Sequence, residues 1–122
     1  DDAPAGDAPD EAPDGDAVIL GFSQGGYMSL AVATAYPDRV QKAISMGGGL
    51  PEPLWPQDVP AEGPEIVILH GTADTVVPIG PTLSAAEHLR GLGWDLELHT
   101  YEGVGHTISA EMRAELYAEL SE

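Results

Sequence analysis

Ala17-Val18-Ile19-Leu20-Gly21-Phe22-Ser23-Gln24-Gly25 is the stretch that decides the fold. Its first four residues form a continuous apolar run, the mark of a strand buried on both faces. The run breaks at Gly21, and a helical segment follows from about Gln24 to Tyr36, stopped by Pro37. Gly21-Phe22-Ser23-Gln24-Gly25 lies on the turn between them as a G-x-S-x-G pentapeptide. A turn this tight forces strained angles on the serine and lifts its hydroxyl above the sheet. Gly21 and Gly25 are expected to make room, because a Cβ there would meet the neighbouring strand or helix. The helix N-terminus adds a positive dipole end beside any developing oxyanion.

The alternation continues downstream. Val40 to Met46 reads as a strand ending in Gly47-Gly48-Gly49, and residues 50–64 hold five prolines and read as a long surface loop. Ile66-Val67-Ile68-Leu69 is another fully apolar strand. A helix fits Ile79 to Leu92, with Ile79, Leu83, Ala86 and Leu89 on one face. Trp94, Leu96, Leu98 and Thr100 then alternate with Asp95, Glu97, His99 and Tyr101, as on a half-exposed edge strand. A last helix spaces Ile108, Met112, Leu116 and Leu120 four apart, its acidic residues facing solvent. The fold class is α/β: about four mostly parallel strands with flanking helices.

Composition narrows the function. The chain has 122 residues, enough for one small domain, with 21 acidic residues against 4 basic ones and a formal charge of −17. That balance argues against nucleic acid or an anionic membrane surface as partner, since both call for clustered Lys and Arg. With no cysteine, disulfides, thiolate metal sites and thiol nucleophiles are excluded. No apolar run approaches a membrane span, and nothing at the acidic N-terminus looks like a secretory signal, so the expected location is cytoplasmic. Residues 1–16 carry seven acids and three prolines and read as an acidic, disordered tail. The remaining 14 acids still outnumber the 4 bases, a surface that self-repels until salt screens it and that suits a halophilic source.

A serine nucleophile needs a base, and the base an orienting acid. Asp74, in His70-Gly71-Thr72-Ala73-Asp74-Thr75-Val76-Val77-Pro78, follows the Ile66–Leu69 strand. His106, in Gly103-Val104-Gly105-His106, follows the last strand. Ser23, Asp74 and His106 therefore share the C-terminal edge of the sheet, where α/β folds place their sites. Two readings fit His70: shaping the Asp74 loop, or joining Asp74 and His106 on a metal. His88 and His99 read as solvated.

These three blocks resemble the phospholipase/carboxylesterase family of α/β-hydrolases, which includes acyl-protein thioesterases and bacterial carboxylesterases. The likeness runs through nearly all of residues 17–122, as a truncated α/β-hydrolase that starts at the nucleophile strand. It implies Ser23 as nucleophile, His106 as general base and then acid, and Asp74 as the residue orienting His106. Gly21 and Gly25 would flank the nucleophile elbow, and the Gln24 N–H would serve the oxyanion hole. The implied substrate is a small ester or acyl compound, cleaved through an acyl-enzyme with neither cofactor nor metal. Phe22, Leu50, Leu54, Trp55 and Val76 are pocket candidates; the loop residues among them serve equally well as a cover for the sheet.

The resemblance lacks the strands and helices that precede the nucleophile strand in the family. The loop that carries the second oxyanion donor is among them, and Ala17–Leu20 is left as an open apolar edge. The chain is therefore expected to pair through that edge with a second copy or a complementing polypeptide, or to be a fragment. The alternative function is a non-catalytic half-domain or oligomeric binding module that retains the triad residues. Chemistry like that of dienelactone hydrolases would favour a cysteine nucleophile, which the chain lacks.

Overall fold

Strand β1 (Ala17–Phe22) runs straight into helix α1 (Gln24–Ala35) in the computed structural model, which describes residues 17–122. The acidic tail expected over residues 1–16 lies outside the described residues. A single 3₁₀ turn, Pro37–Arg39, then leads into β2 (Val40–Met46). Proline at its first position ends α1, as it lacks the N–H that would continue the ladder. The proline-rich segment holds one further 3₁₀ turn, Glu52–Leu54, before β3 (Glu65–Gly71). Helix α2 (Ile79–Leu92), β4 (Asp95–Tyr101) and α3 (Ala110–Leu120) complete the order.

The strands form one four-stranded sheet in the order β1-β2-β3-β4, and all three pairings are parallel. β3 is buried on both faces, which is why Ile66–Leu69 is a continuous apolar run; β2 is buried from Lys42 onward yet carries Gln41, Lys42 and Ser45. Ile66 and Ile68 point to one face, packing with Leu30 of α1 and Ala85, Ala86 and Leu89 of α2. Val67 and Leu69 point to the other, with Ile44, Met46 and Met112 of α3. Among the described residues β1 pairs only with β2, and Val18 and Leu20 are each 45% exposed.

Several sequence expectations need correcting. β1, read as buried on both faces, leaves Val18 and Leu20 exposed, and on α2 Leu83 is 40% exposed while Thr82 and Ala85 are buried with Ala86 and Leu89. Leu120 is 46% exposed while its neighbour Glu119 is 4% exposed, so the last turn of α3 turns an acid inward and a leucine outward. The reason is Lys42 of β2, whose ammonium lies 3.1 Å from Glu119 Oε1 and donates to the Glu119 carbonyl at 2.7 Å. His88 is not solvated: its ring stacks on Trp55 at 4.7 Å, and Nε2 donates to the Pro56 carbonyl at 2.9 Å. His99 is half-buried beside Glu97 and Glu115. Trp55 Nε1 donates to the Leu50 carbonyl and Trp94 Nε1 to the Asp58 carbonyl. His88 thus ties the proline-rich segment to α2 and Trp94 ties it to the turn before β4, while the Trp55 bond closes within the segment.

Candidate active site

Ser23 occupies the junction between β1 and α1 with φ 60° and ψ −116°. Among the described residues it alone combines a side chain with a positive φ. Holding a non-glycine residue there costs about 1–3 kcal/mol, which the surrounding structure must over-determine. It does so by fastening the turn on both sides: Ser23 N–H donates to the Met46 carbonyl at 2.8 Å, and Gly47 N–H to the Leu69 carbonyl at 2.9 Å.

The glycines share this task differently from expectation. A Cβ on Gly21 would sit 2.4 Å from the Gly25 carbonyl, so the absence of a side chain at Gly21 lets the turn close. Gly25 itself faces open space, and a Cβ there meets nothing within 4 Å. The tight crossing lies one residue on, because the helical rotation turns Gly26 rather than Gly25 toward β2. A Cβ on Gly26 would be 2.9 Å from Ser45 Oγ, and one on Gly48 would be 2.6 Å from the Gly26 carbonyl carbon. No sequence signal beyond the Gly47-Gly48-Gly49 run marked that contact. Gly48→Ala is expected to destabilise the chain by about 1–3 kcal/mol, since backbone rather than a movable side chain must yield. Gly25→Ala should fall within about 0.5 kcal/mol of the parent. Urea midpoints of the two variants check the contrast.

The serine hydroxyl does not fold back to cap α1. It lies 2.8 Å from His106 Nε2, and His106 Nδ1 lies 2.8 Å from Asp74 Oδ2. Asp74 is only 6% exposed. Its Oδ1 accepts the N–H groups of Val76 and Val77 at 2.9 and 2.8 Å. Burial pushes the carboxyl up, but the Val77 N–H, the hydrogen bond from His106 and the Val76 N–H outweigh it and hold the group below the ordinary 3.8. The carboxylate therefore stays ionised; its contribution to stability is complete above that ordinary value and is lost as pH falls through the lower folded one. An ionised Asp74 requires the proton on His106 Nδ1, which leaves Nε2 bare to accept from Ser23 Oγ.

The two loops are tied to each other as well. Ala73 N–H donates to the Val104 carbonyl at 2.9 Å, and Gly103 N–H to Thr72 Oγ1 at 2.8 Å. A Cβ on Gly71 would collide with the Val104 carbonyl, so this glycine sets how closely the loops approach. Neither Thr72 nor Gly71 announced that role in the sequence.

Of the pocket candidates, Phe22 lies at the site, its ring centroid 4.8 Å from that of His106. Val76, on the Asp74 loop, is 65% exposed. Leu50 is a correction: it is 4% exposed, inside the core with Leu30 and Leu89. Trp55 packs against the same core, and Leu54 lies with Ala31, Val32 and Tyr36 in a groove along the second half of α1. Gln24, the first residue of α1, is exposed, and its N–H is one of those at the helix start that have no intrahelical acceptor.

Comparison with known proteins gives consistent likenesses. The family model described as phospholipase/carboxylesterase matches residues 7–121. Acyl-protein thioesterase 1 of Gibberella zeae is 32% identical over 107 residues, covering 83% of this chain and 45% of that protein. A probable carboxylesterase of Oryza sativa subsp. japonica is 34% identical over 106 residues, 82% of this chain and 38% of its own length. Among solved structures, esterase PE8 superposes with a TM-score of 0.78 at 31% identity, covering 88% of this chain and 50% of that one. The chain thus spans half or less of the length of each of these proteins.

Proposed function

Because this chain belongs to the phospholipase/carboxylesterase family, we propose that it hydrolyses carboxylic esters or thioesters through an acyl-enzyme on Ser23. In this reading Ser23 Oγ attacks the substrate carbonyl while His106 Nε2 takes its proton, and the imidazolium returns that proton to the leaving alcohol or thiol. Water then repeats the sequence on the acyl-serine and regenerates the hydroxyl. Asp74 holds the imidazole in the required tautomer, and the Gln24 N–H donates to the oxyanion. The observation that carries the reading is the pair of 2.8 Å contacts linking Ser23, His106 and Asp74, begun on a strained serine.

One N–H makes half an oxyanion hole, and losing one donor costs about 10²–10³ in turnover. The same proposal therefore includes further polypeptide that pairs along β1 and supplies a second donor, whether a second copy, a complementing segment or another part of a longer chain of which these residues are a fragment. The unpaired edge supports it, as does α1, which carries no charged residue and leaves Met28 61% and Tyr36 60% exposed.

The test is turnover of p-nitrophenyl butyrate by the purified chain, at low and at multimolar KCl, beside Ser23→Ala, with sedimentation of the same samples. Turnover that vanishes in the variant, from a species larger than one chain, is the expected result. Equal background rates from two folded proteins would overturn the hydrolase reading in favour of a half-domain without catalysis. A compact monomer would overturn the pairing.

A further inference from the structure

His70 stands at the end of β3, is fully buried, and has no part in the proton transfers described above. Its Nε2 lies 2.7 Å from the Val77 carbonyl oxygen. A carbonyl only accepts, so the proton must be on Nε2. Its Nδ1 is buried and no described residue gives it a partner, which is the arrangement of a neutral ring with a bare Nδ1. A doubly protonated ring would bury an unpaired donor there, at a cost of about 1–3 kcal/mol or more.

Val77 is held at both ends. Its carbonyl accepts from His70, and its N–H donates to Asp74 Oδ1 at 2.8 Å. Pro78 follows directly and restricts Val77 to extended angles. With Val77 fixed, the Val77 and Val76 N–H groups converge on one carboxylate oxygen and leave Oδ2 for His106. His70 Nε2 is 3.6 Å from that same Oδ2, too far for a hydrogen bond, so it does not compete with His106.

We propose that His70 is a positioning residue that acts through Val77: its Nε2–H clamps the 74–77 loop so that the Asp74 carboxylate presents a single oxygen to His106. The proposal rests on the reading of Asp74 as the orienting acid. Without the clamp, Val77 relaxes, Oδ1 loses a donor, and the carboxylate is free to rotate. Misplacement of a catalytic group by about 1 Å is enough to cost roughly 10²-fold in rate.

The experiment compares His70→Leu, which fills the space without a donor, with His70→Gln, whose amide N–H reaches the position of Nε2. In the wild type, ¹H–¹⁵N spectra are expected to show His70 as the Nε2–H tautomer and a protected, low-field His106 Nδ1 proton. In His70→Leu that proton should broaden or vanish and kcat should fall about 10²-fold at unchanged KM, while His70→Gln restores both. An Nδ1–H tautomer in the wild type overturns the proposal, as does a leucine variant that keeps the His106 proton. A glutamine variant as impaired as leucine at equal thermal midpoint overturns it too. Should leucine prevent folding, the tautomer and the glutamine variant decide. If the wild type shows the expected spectrum but no turnover, the hydrolase reading fails while the clamp stands.

Discussion

Asp74→Asn is expected to lower the turnover of p-nitrophenyl butyrate by about 10⁴ in a chain that still folds at neutral pH. The hydrogen bonds around the carboxylate dictate how the amide must sit. Oδ1 accepts from two backbone N–H groups, so the amide oxygen has to take that position. Its NH₂ then occupies the place of Oδ2 and faces His106 Nδ1, which must become an acceptor. The imidazole proton moves to Nε2, where it points at Ser23 Oγ and cannot receive the serine's proton. Asp74→Ala lacks that enforced tautomer and is expected to retain more activity than the near-isosteric asparagine. Equal losses in the two variants would contradict the tautomer account, and an unchanged rate in asparagine would contradict any role for Asp74 in catalysis. The His106 ¹⁵N spectrum reads the tautomer directly.

The second large effect lies away from the site. Lys42→Met is expected to destabilise the chain by about 3–5 kcal/mol at pH 7, because it strands a buried carboxylate. Lys42 and Glu119 have side chains 8% and 3% exposed. Burial pushes the Lys42 ammonium down, but Glu119, Glu122 and Glu65 outweigh it and leave it above 10.5. Burial likewise pushes Glu119 up, and its hydrogen bonds from Glu115 and Lys42 leave it below 4.5. Both shifts favour the charged pair. Glu115, beside Glu119 and partly buried, is raised above the ordinary carboxylate value, Glu119 being the first cause and burial the second. A carboxylate held below its ordinary value stabilises the fold above that value and ceases to do so as pH falls through the folded one. The cost of the substitution should therefore shrink in acid. The double variant Lys42→Met/Glu119→Leu should recover most of the loss at pH 7. Urea unfolding of the three proteins at pH 7 and in acid gives the comparison, and a single variant as stable as the parent would remove the pair from any structural role.

What the sequence made legible follows from which physical rules act locally. Ile66–Leu69 could be read as a strand because a strand buried on both faces has nowhere to place a polar residue; Ala17–Leu20 carries the same apolar run although Val18 and Leu20 stand exposed. Ser23, Asp74 and His106 could be grouped because each follows a parallel strand, and parallel strands end on one edge. Glu119 could not be read, because helical periodicity places an acid by its rotation alone and knows nothing of a lysine in β2. His88 was missed for the same reason: its partner is a carbonyl in an irregular segment. Gly25 and Gly26 differ by one helical step, and only the crossing of α1 over β2 tells which of them is confined.

The sheet order β1-β2-β3-β4 also governs the sequence of events during synthesis. Each strand's neighbour is the one made just before it, so pairing can proceed in the order in which a ribosome releases the chain. The side-chain hydrogen bonds that reach furthest back are of another kind: Ser23 to His106 across 83 residues, and Lys42 to Glu122 and Glu119 across 80 and 77. Both depend on segments that follow β4. A nascent chain with three strands laid down thus carries a serine without its imidazole, and acquires the pair only as translation nears its last helix. Chemical reactivity at Ser23 would then serve as a clock for the completion of folding.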